Sequence, residues 1–252
     1  MVMRTLIAAV FVLIFSNIHA QYARVKGAIV RGDTARKSIA LVFTGHEYAD
    51  GGEVIRTALK ASGTPASFFF TGDFYRGFPA LVSGLKKDGH YLGAHSDKHL
   101  LYCAWEKRDS LLVSRKEFLT DLRNNYREMK KAGVRKKDAR YYLPPYEWYN
   151  ETIAGWTQKE GLQLVNFTSG TLSHADYTTP SMRNYRSSEV IRESIRKYEK
   201  EKGMNGFILL VHIGTDPERT DKLYQQLPEI IREFKQKGYT FLRIDELLME
   251  RR

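Results

Sequence analysis

The sequence predicts an α/β domain in which parallel strands alternate with helices, and three observations carry that reading. First, the apolar runs "SIALVFTG" (38–45), "ASFFFTG" (66–72), "YLGAHS" (91–96), "RYYLPP" (140–145), "LQLVNFTSG" (162–170), "GFILLVHIG" (206–214) and "YTFLRI" (239–244) are continuous, not alternating. Strands buried on both faces read that way, and parallel sheets are covered on both faces. Second, helical periodicity fills the gaps between them. Val54, Ile55, Ala58 and Leu59 share one face, as do Phe78, Leu81, Val82 and Leu85, and then Leu223, Leu227, Ile230, Ile231 and Phe234. Third, Gly63, Gly89, Gly133, Gly161 and Gly238 each follow such a helix, where glycine commonly ends it. Repeated strand–helix alternation means a (β/α) barrel or a doubly wound sheet. In both, chemistry sits at the C-terminal ends of the strands.

The elements begin after a different kind of segment. Arg4, the apolar run "LIAAVFVLIF" (6–15) and "SNIHA", ending at Ala20, make a secretory signal peptide over residues 1–20. The run is shorter than the roughly 20 residues a membrane span needs. The expectation is an exported protein, periplasmic or extracellular, with no stable membrane span after cleavage and residues 21–252 forming one domain. Cys103 is the only cysteine, so no disulfide forms within the chain, and it reads as a small buried apolar residue. The net charge of +11 is spread over helical faces such as "RKKDAR" and "RESIRKYEKEKG", with acids interleaved. Neither a basic tail nor an RNA-binding motif is present, so nucleic acid is not the expected partner.

The residues able to do chemistry cluster at or just past strand ends. "VFTGHEYADGG" (42–52) brings His46, Glu47 and Asp50 after the first core strand. They could bind a metal or move protons; equally, Asp50 could cap the helix starting near Glu53. In "GAHSDKHLLY", His95 and His99 are four apart, and on a helical turn both would reach one cation. His212 ends the apolar strand "LLVHIG", where a general acid would sit. The two prolines of "YYLPPYEWYN" fix the loop before Tyr146, so that it can aim a backbone N–H into the pocket. Glu147 adds a further acid there, and Tyr146, Trp148 and Tyr149 could stack on sugar rings.

In order and spacing these segments resemble the NodB-type polysaccharide deacetylases, carbohydrate esterase family 4, from about residue 38 to 248. The resemblance implies an irregular (β/α) barrel and a divalent metal, usually zinc, held by one aspartate and two histidines. It also implies an aspartate base and a histidine general acid. Carried over residue by residue, His95 and His99 take the places of the metal histidines and His212 that of the acid. Tyr146 takes that of the tyrosine whose N–H faces the oxyanion, and Asp176 in "HADY" that of an aspartate supporting the acid. The implied substrate is an acetylated polysaccharide or oligosaccharide, losing N- or O-acetyl groups by hydrolysis.

The first motif departs from the family. Thr44 and Gly45 stand where two aspartates are expected, and Leu143 stands where an arginine steadies the base. Either the loop supplies replacements, with His46 or Asp50 as third metal ligand and Glu47 as base, or the chain is a catalytically inactive carbohydrate-binding protein on the same scaffold.

Overall fold

The computed structural model describes residues 22–249. The expected signal peptide therefore lies outside the described residues. Among those described, no helix is long and apolar enough to cross a membrane.

Every anticipated core strand forms. After a short antiparallel hairpin, β1 (Ala23–Val25) and β2 (Ala28–Arg31), come β3 (Ser38–Gly45), β4 (Ser67–Phe70), β5 (Tyr91–Ala94), β6 (Tyr141–Tyr142), β7 (Gln163–Leu164), β8 (Phe207–His212) and β9 (Thr240–Leu242). The main sheet runs β7-β6-β5-β4-β3-β8, with β9 also paired to β3, and each of these pairings is parallel. The hairpin was not anticipated. It helps the sheet curl into an irregular barrel: Ile29 bridges Val165, and the Thr168 N–H donates to Ile208 O at 3.0 Å. The chain after β7 thus spans the distance from β7 to β8 without a regular strand.

The helices are α1 (Gly52–Ser62), α2 (Gly72–Gly77), α3 (Pro79–Lys87), α4 (Arg115–Lys131), α5 (Glu151–Lys159), α6 (Ser188–Lys202), α7 (Leu227–Gln236) and α8 (Ile244–Leu247). Local signals start them. Thr71, Ser114, Asn150 and Ser187 accept backbone N–H bonds as N-caps, and Pro stands in the first turn of α3 and α7. The anticipated terminating glycines all adopt φ between 57° and 85°. The anticipated faces turn inward, with Phe78 and Leu81 only partly buried, and one correction: Val54 points outward at 44% exposure, while Ile55, Ala58 and Leu59 face the core. The core is one cluster built on β3, β4 and β8, whose side chains from Ile39 to Phe43 and from Phe207 to Val211 are all buried. Cys103 is buried and unbonded.

Strand register sets the site. His212 pairs with Thr44, Gly45 with Phe70, Phe70 with Ala94, and Ala94 with Tyr142. The strands therefore end level, and the next residues, His46, Thr71, His95 and Leu143, share one rim.

Candidate active site

That rim walls a cavity of about 810 Å³ lined by His46, Glu47, His95, His99, Tyr146, Glu147 and His212, among others. Most of the expected site residues thus meet in one place.

His95 begins where β5 ends. Its N–H donates to Phe70 O at 3.1 Å and to Asn125 Oδ1 at 3.0 Å, while Asn125 Nδ2 returns a bond to Phe70 O at 3.1 Å. Asn125 lies on the inward face of α4, beside Asp121, which accepts the N–H groups of Asp97 and Lys98. The segment is not a helical turn, which corrects the sequence expectation. His99 comes back to His95 because Ser96 and His99 adopt left-handed φ of 71° and 54°, and Ser96 Oγ accepts the His99 N–H at 2.8 Å. The tight path also requires Gly72 of α2, where a Cβ would lie 1.8 Å from Asp97 Oδ1.

The resulting pair suits a cation. His95 Nδ1 is 2.8 Å from Leu143 O; a carbonyl only accepts, so Nδ1 carries the proton and Nε2 keeps its lone pair. His95 Nε2 and His99 Nε2 are 3.2 Å apart. Two imidazoles bound to zinc at about 2.0–2.1 Å in tetrahedral geometry stand about 3.3–3.4 Å apart, so the pair's spacing suits two ligands of one cation, while no set of three His, Cys, Asp or Glu ligands gathers there among the described residues. Burial lowers the His95 pKa to about 3 and the His99 pKa to about 2, the neighbouring imidazoles pushing His99 the same way. Both are therefore neutral at ordinary pH, as ligation requires. The His46 ring stacks on His99 with centroids 4.7 Å apart, and its Nδ1 is 3.1 Å from Thr71 Oγ1.

Asp50 is placed elsewhere. Its Oδ1 accepts the Thr215 N–H at 2.8 Å, and its Oδ2 takes the Tyr224 hydroxyl at 2.8 Å and Lys222 Nζ at 3.0 Å. It neither lines the cavity nor caps α1, whose N-cap is Gly51. It ties the first loop to the chain after β8. Of the two candidates for third ligand, only His46 stands beside the histidine pair.

His212 and Asp176 form a tight dyad. Asp176, 2% exposed, accepts the His212 N–H at 2.9 Å on one oxygen and Nδ1 at 2.6 Å on the other. Burial disfavours the imidazolium, but the Asp176 charge and hydrogen bond, with help from Glu147, hold the His212 pKa above its usual value. The Asp176 segment is itself pinned by the fully buried Arg219, whose Nη1 donates to Thr178 O at 2.6 Å and Arg186 O at 3.0 Å.

Tyr146 and Glu147 are consecutive left-handed residues, φ 57° and 53°. The Glu147 and Trp148 N–H groups close onto Pro144 O and Pro145 O, which leaves the Tyr146 N–H outside this pattern. The Tyr146 ring covers His99, centroids 4.3 Å apart. Burial raises the Glu147 pKa to about 7; His212 opposes the shift and Asp176 adds to it.

The expected sugar-stacking residues need revision. Tyr149 is buried, with its hydroxyl donating to Val25 O, and Trp148 carries the Arg108 guanidinium 4.1 Å above its ring. Tyr146 stays open at 44% exposure, and among the other aromatics lining the cavity Trp105 is 51% exposed and edge-on to Tyr146 at 5.7 Å. Sequence reading passed over it because its loop carries no motif.

Comparisons with known proteins agree with this architecture. Residues 31–165 match the family model described as polysaccharide deacetylase. The peptidoglycan-N-acetylmuramic acid deacetylase PdaA of Bacillus subtilis is 25% identical over 225 residues, covering 89% of this chain and 76% of that protein. The peptidoglycan-N-acetylglucosamine deacetylase of Bacillus cereus is 25% identical over 185 residues, covering 73% of this chain and 75% of that protein. Among solved structures, a CE4 family pseudoenzyme from Bacillus anthracis superposes with a TM-score of 0.71 at 19% identity, covering 91% of this chain and 71% of its own, a likeness of fold.

Proposed function

The chain belongs to the polysaccharide deacetylase family, and from that premise we propose that it hydrolyses acetyl groups from an exported cell-wall glycan, with acetylated peptidoglycan as the first substrate class to test. The observation that carries the reading is the His95–His99 pair sharing one cavity with the His212–Asp176 dyad.

His95 and His99 would hold a divalent cation, zinc by their chemistry, with His46 the nearest third imidazole. Such an ion, when bound, activates water and polarises the acetyl carbonyl. The chain's own residues do the rest. The Tyr146 N–H, freed by the turn, is the donor for the developing oxyanion. His212, whose protonated form Asp176 favours, gives its Nε2 proton to the departing amine or alcohol. Trp105 offers a stacking face for a sugar ring beside the reacting group. Export fits the signal-like sequence of residues 1–20.

One observation favours a second reading, a glycan-binding protein without activity. Thr44 and Gly45 supply no carboxylate on the rim. Incubation with a panel of acetylated glycans, with and without chelator, separates the two. The deacetylase releases acetate and stops with chelator, whereas the binding protein retains glycan and releases none.

A further inference from the structure

We propose that Glu147 is the group that takes the proton from the attacking water, in place of the acid that β3 does not provide. The inference rests on the deacetylase reading and names its missing base.

The strand itself cannot supply one. Thr44 is 1% exposed, and its hydroxyl has no partner among the described residues. A buried, unpartnered hydroxyl is no base for water. Gly45 has no side chain, and a Cβ there would lie 2.7 Å from Ile213 Cγ2 and 2.9 Å from ring atoms of Phe70 and Phe74. Those side chains already fill the space, so the strand as it stands has no room for a carboxylate at this position.

Three carboxylates line the cavity: Glu47, Glu147 and Asp216. Asp216 is committed, accepting the Tyr48 hydroxyl at 3.2 Å and the Glu218 N–H at 2.8 Å. Glu47 stands at the mouth with its side chain 65% exposed, 3.8 Å from His46 Nε2. Water solvates it there, and the cavity does not enclose it. The Glu147 carboxylate is half-buried and takes no hydrogen bond or ion pair among the described residues. Its backbone is firmly held all the same. The Glu147 N–H bonds Pro144 O at 3.1 Å, and its carbonyl accepts Asn166 Nδ2 at 2.8 Å. A left-handed φ at a glutamate costs on the order of 1 kcal/mol or more and persists where the surroundings impose it. Here the imposed turn brings Tyr146 over His99 while Glu147 lines the cavity together with His212.

The geometry gives a complementary pair. Glu147 accepts a water proton as the water oxygen bonds the acetyl carbon. His212 then donates its proton to the leaving nitrogen or oxygen as the bond from that atom to the acetyl carbon breaks. The products are acetic acid, which ionises to acetate, and the free amine or alcohol; Glu147 returns its proton to solvent or to His212. The carboxyl's elevated pKa, from burial first, suits a base working near neutral pH.

The test compares Glu147→Gln, Glu147→Asp, Glu147→Ala and Glu47→Gln with the wild type by acetate release. Glu147→Gln is expected to lose about 100-fold or more in kcat, with KM changed by less than about threefold. Glu147→Asp keeps more activity than Glu147→Gln, added formate restores part of the Glu147→Ala rate, and Glu47→Gln loses far less. An infrared titration of the metal-free protein gives an independent readout: a protonated-carboxyl band titrating near pH 7 in the wild type is absent in Glu147→Gln. An active wild type with Glu147→Gln within about threefold of it, or a band that survives the substitution, overturns the assignment alone. A wild type that releases no acetate overturns the deacetylase reading beneath it as well.

Discussion

Replacing Glu147 by glutamine should make the protein more stable at alkaline pH while removing its activity. The sign follows from linkage. A carboxyl whose folded pKa is about 7 against 4.5 unfolded binds more protons in the folded state across that window, so stability falls as pH rises through it. A shift of that size corresponds to about 3 kcal/mol for an isolated group. Partial exposure screens it, and the nearby His212 imidazolium recovers some of the cost. The expected gain for Glu147→Gln at pH 8 is therefore about 1–2 kcal/mol, vanishing near pH 4.5. For a domain of this size that is a rise in Tm of about 2–8 °C. Urea unfolding of both proteins in chelator at the two pH values measures it. A wild-type-to-variant difference that does not change with pH refutes the placement of Glu147 in a desolvated, charge-sensitive position.

Three further outcomes follow from named contacts. Asp50→Ala should cost about 1 kcal/mol, since a partly exposed ion pair and two hydrogen bonds are lost, yet leave zinc stoichiometry unchanged by metal analysis. Gly45→Asp, which places there the aspartate that the family resemblance implies, should destabilise by at least about 3 kcal/mol in thermal melts, because overpacking against Ile213, Phe70 and Phe74 adds to an unpartnered buried carboxylate. Asp176→Asn should let burial pull the His212 pKa below its ordinary 6.5, read by NMR of the imidazole protons. His212's raised pKa stabilises fully below that ordinary value and fades as pH rises through the folded one, so the variant's stability deficit is largest at low pH.

The parallel strands were legible because continuous apolar runs and terminating glycines are local signals, and β3 forms over the very residues that "SIALVFTG" marks. His95, His99 and His212 were legible because each follows or ends such a strand. What stayed hidden depends on distance and backbone shape. The β1–β2 hairpin is short, and what ties it to the barrel lies far off in sequence: Ile29 bridges Val165 and accepts the Asn166 N–H, and Val25 O accepts the Tyr149 hydroxyl. Asp50 has the same spacing whether it faces a metal or Lys222, and only the loop after β8 decides. Histidines four apart suggested a helical turn, whereas left-handed Ser96 and His99 make the approach. Positive φ at Tyr146 and Glu147, both ordinary L-residues, leaves no mark in composition, so the position of Glu147 on the cavity wall is visible only in the folded rim.

Acetate release tests the central claim most directly: wild type and His212→Asn are compared on acetylated peptidoglycan fragments, with glycan binding measured in parallel. The account predicts acetate and new free amino or hydroxyl groups in equal amounts from the wild type, and a loss of about 100-fold or more in His212→Asn with binding retained. Equal glycan binding by both proteins with no acetate from either would contradict it.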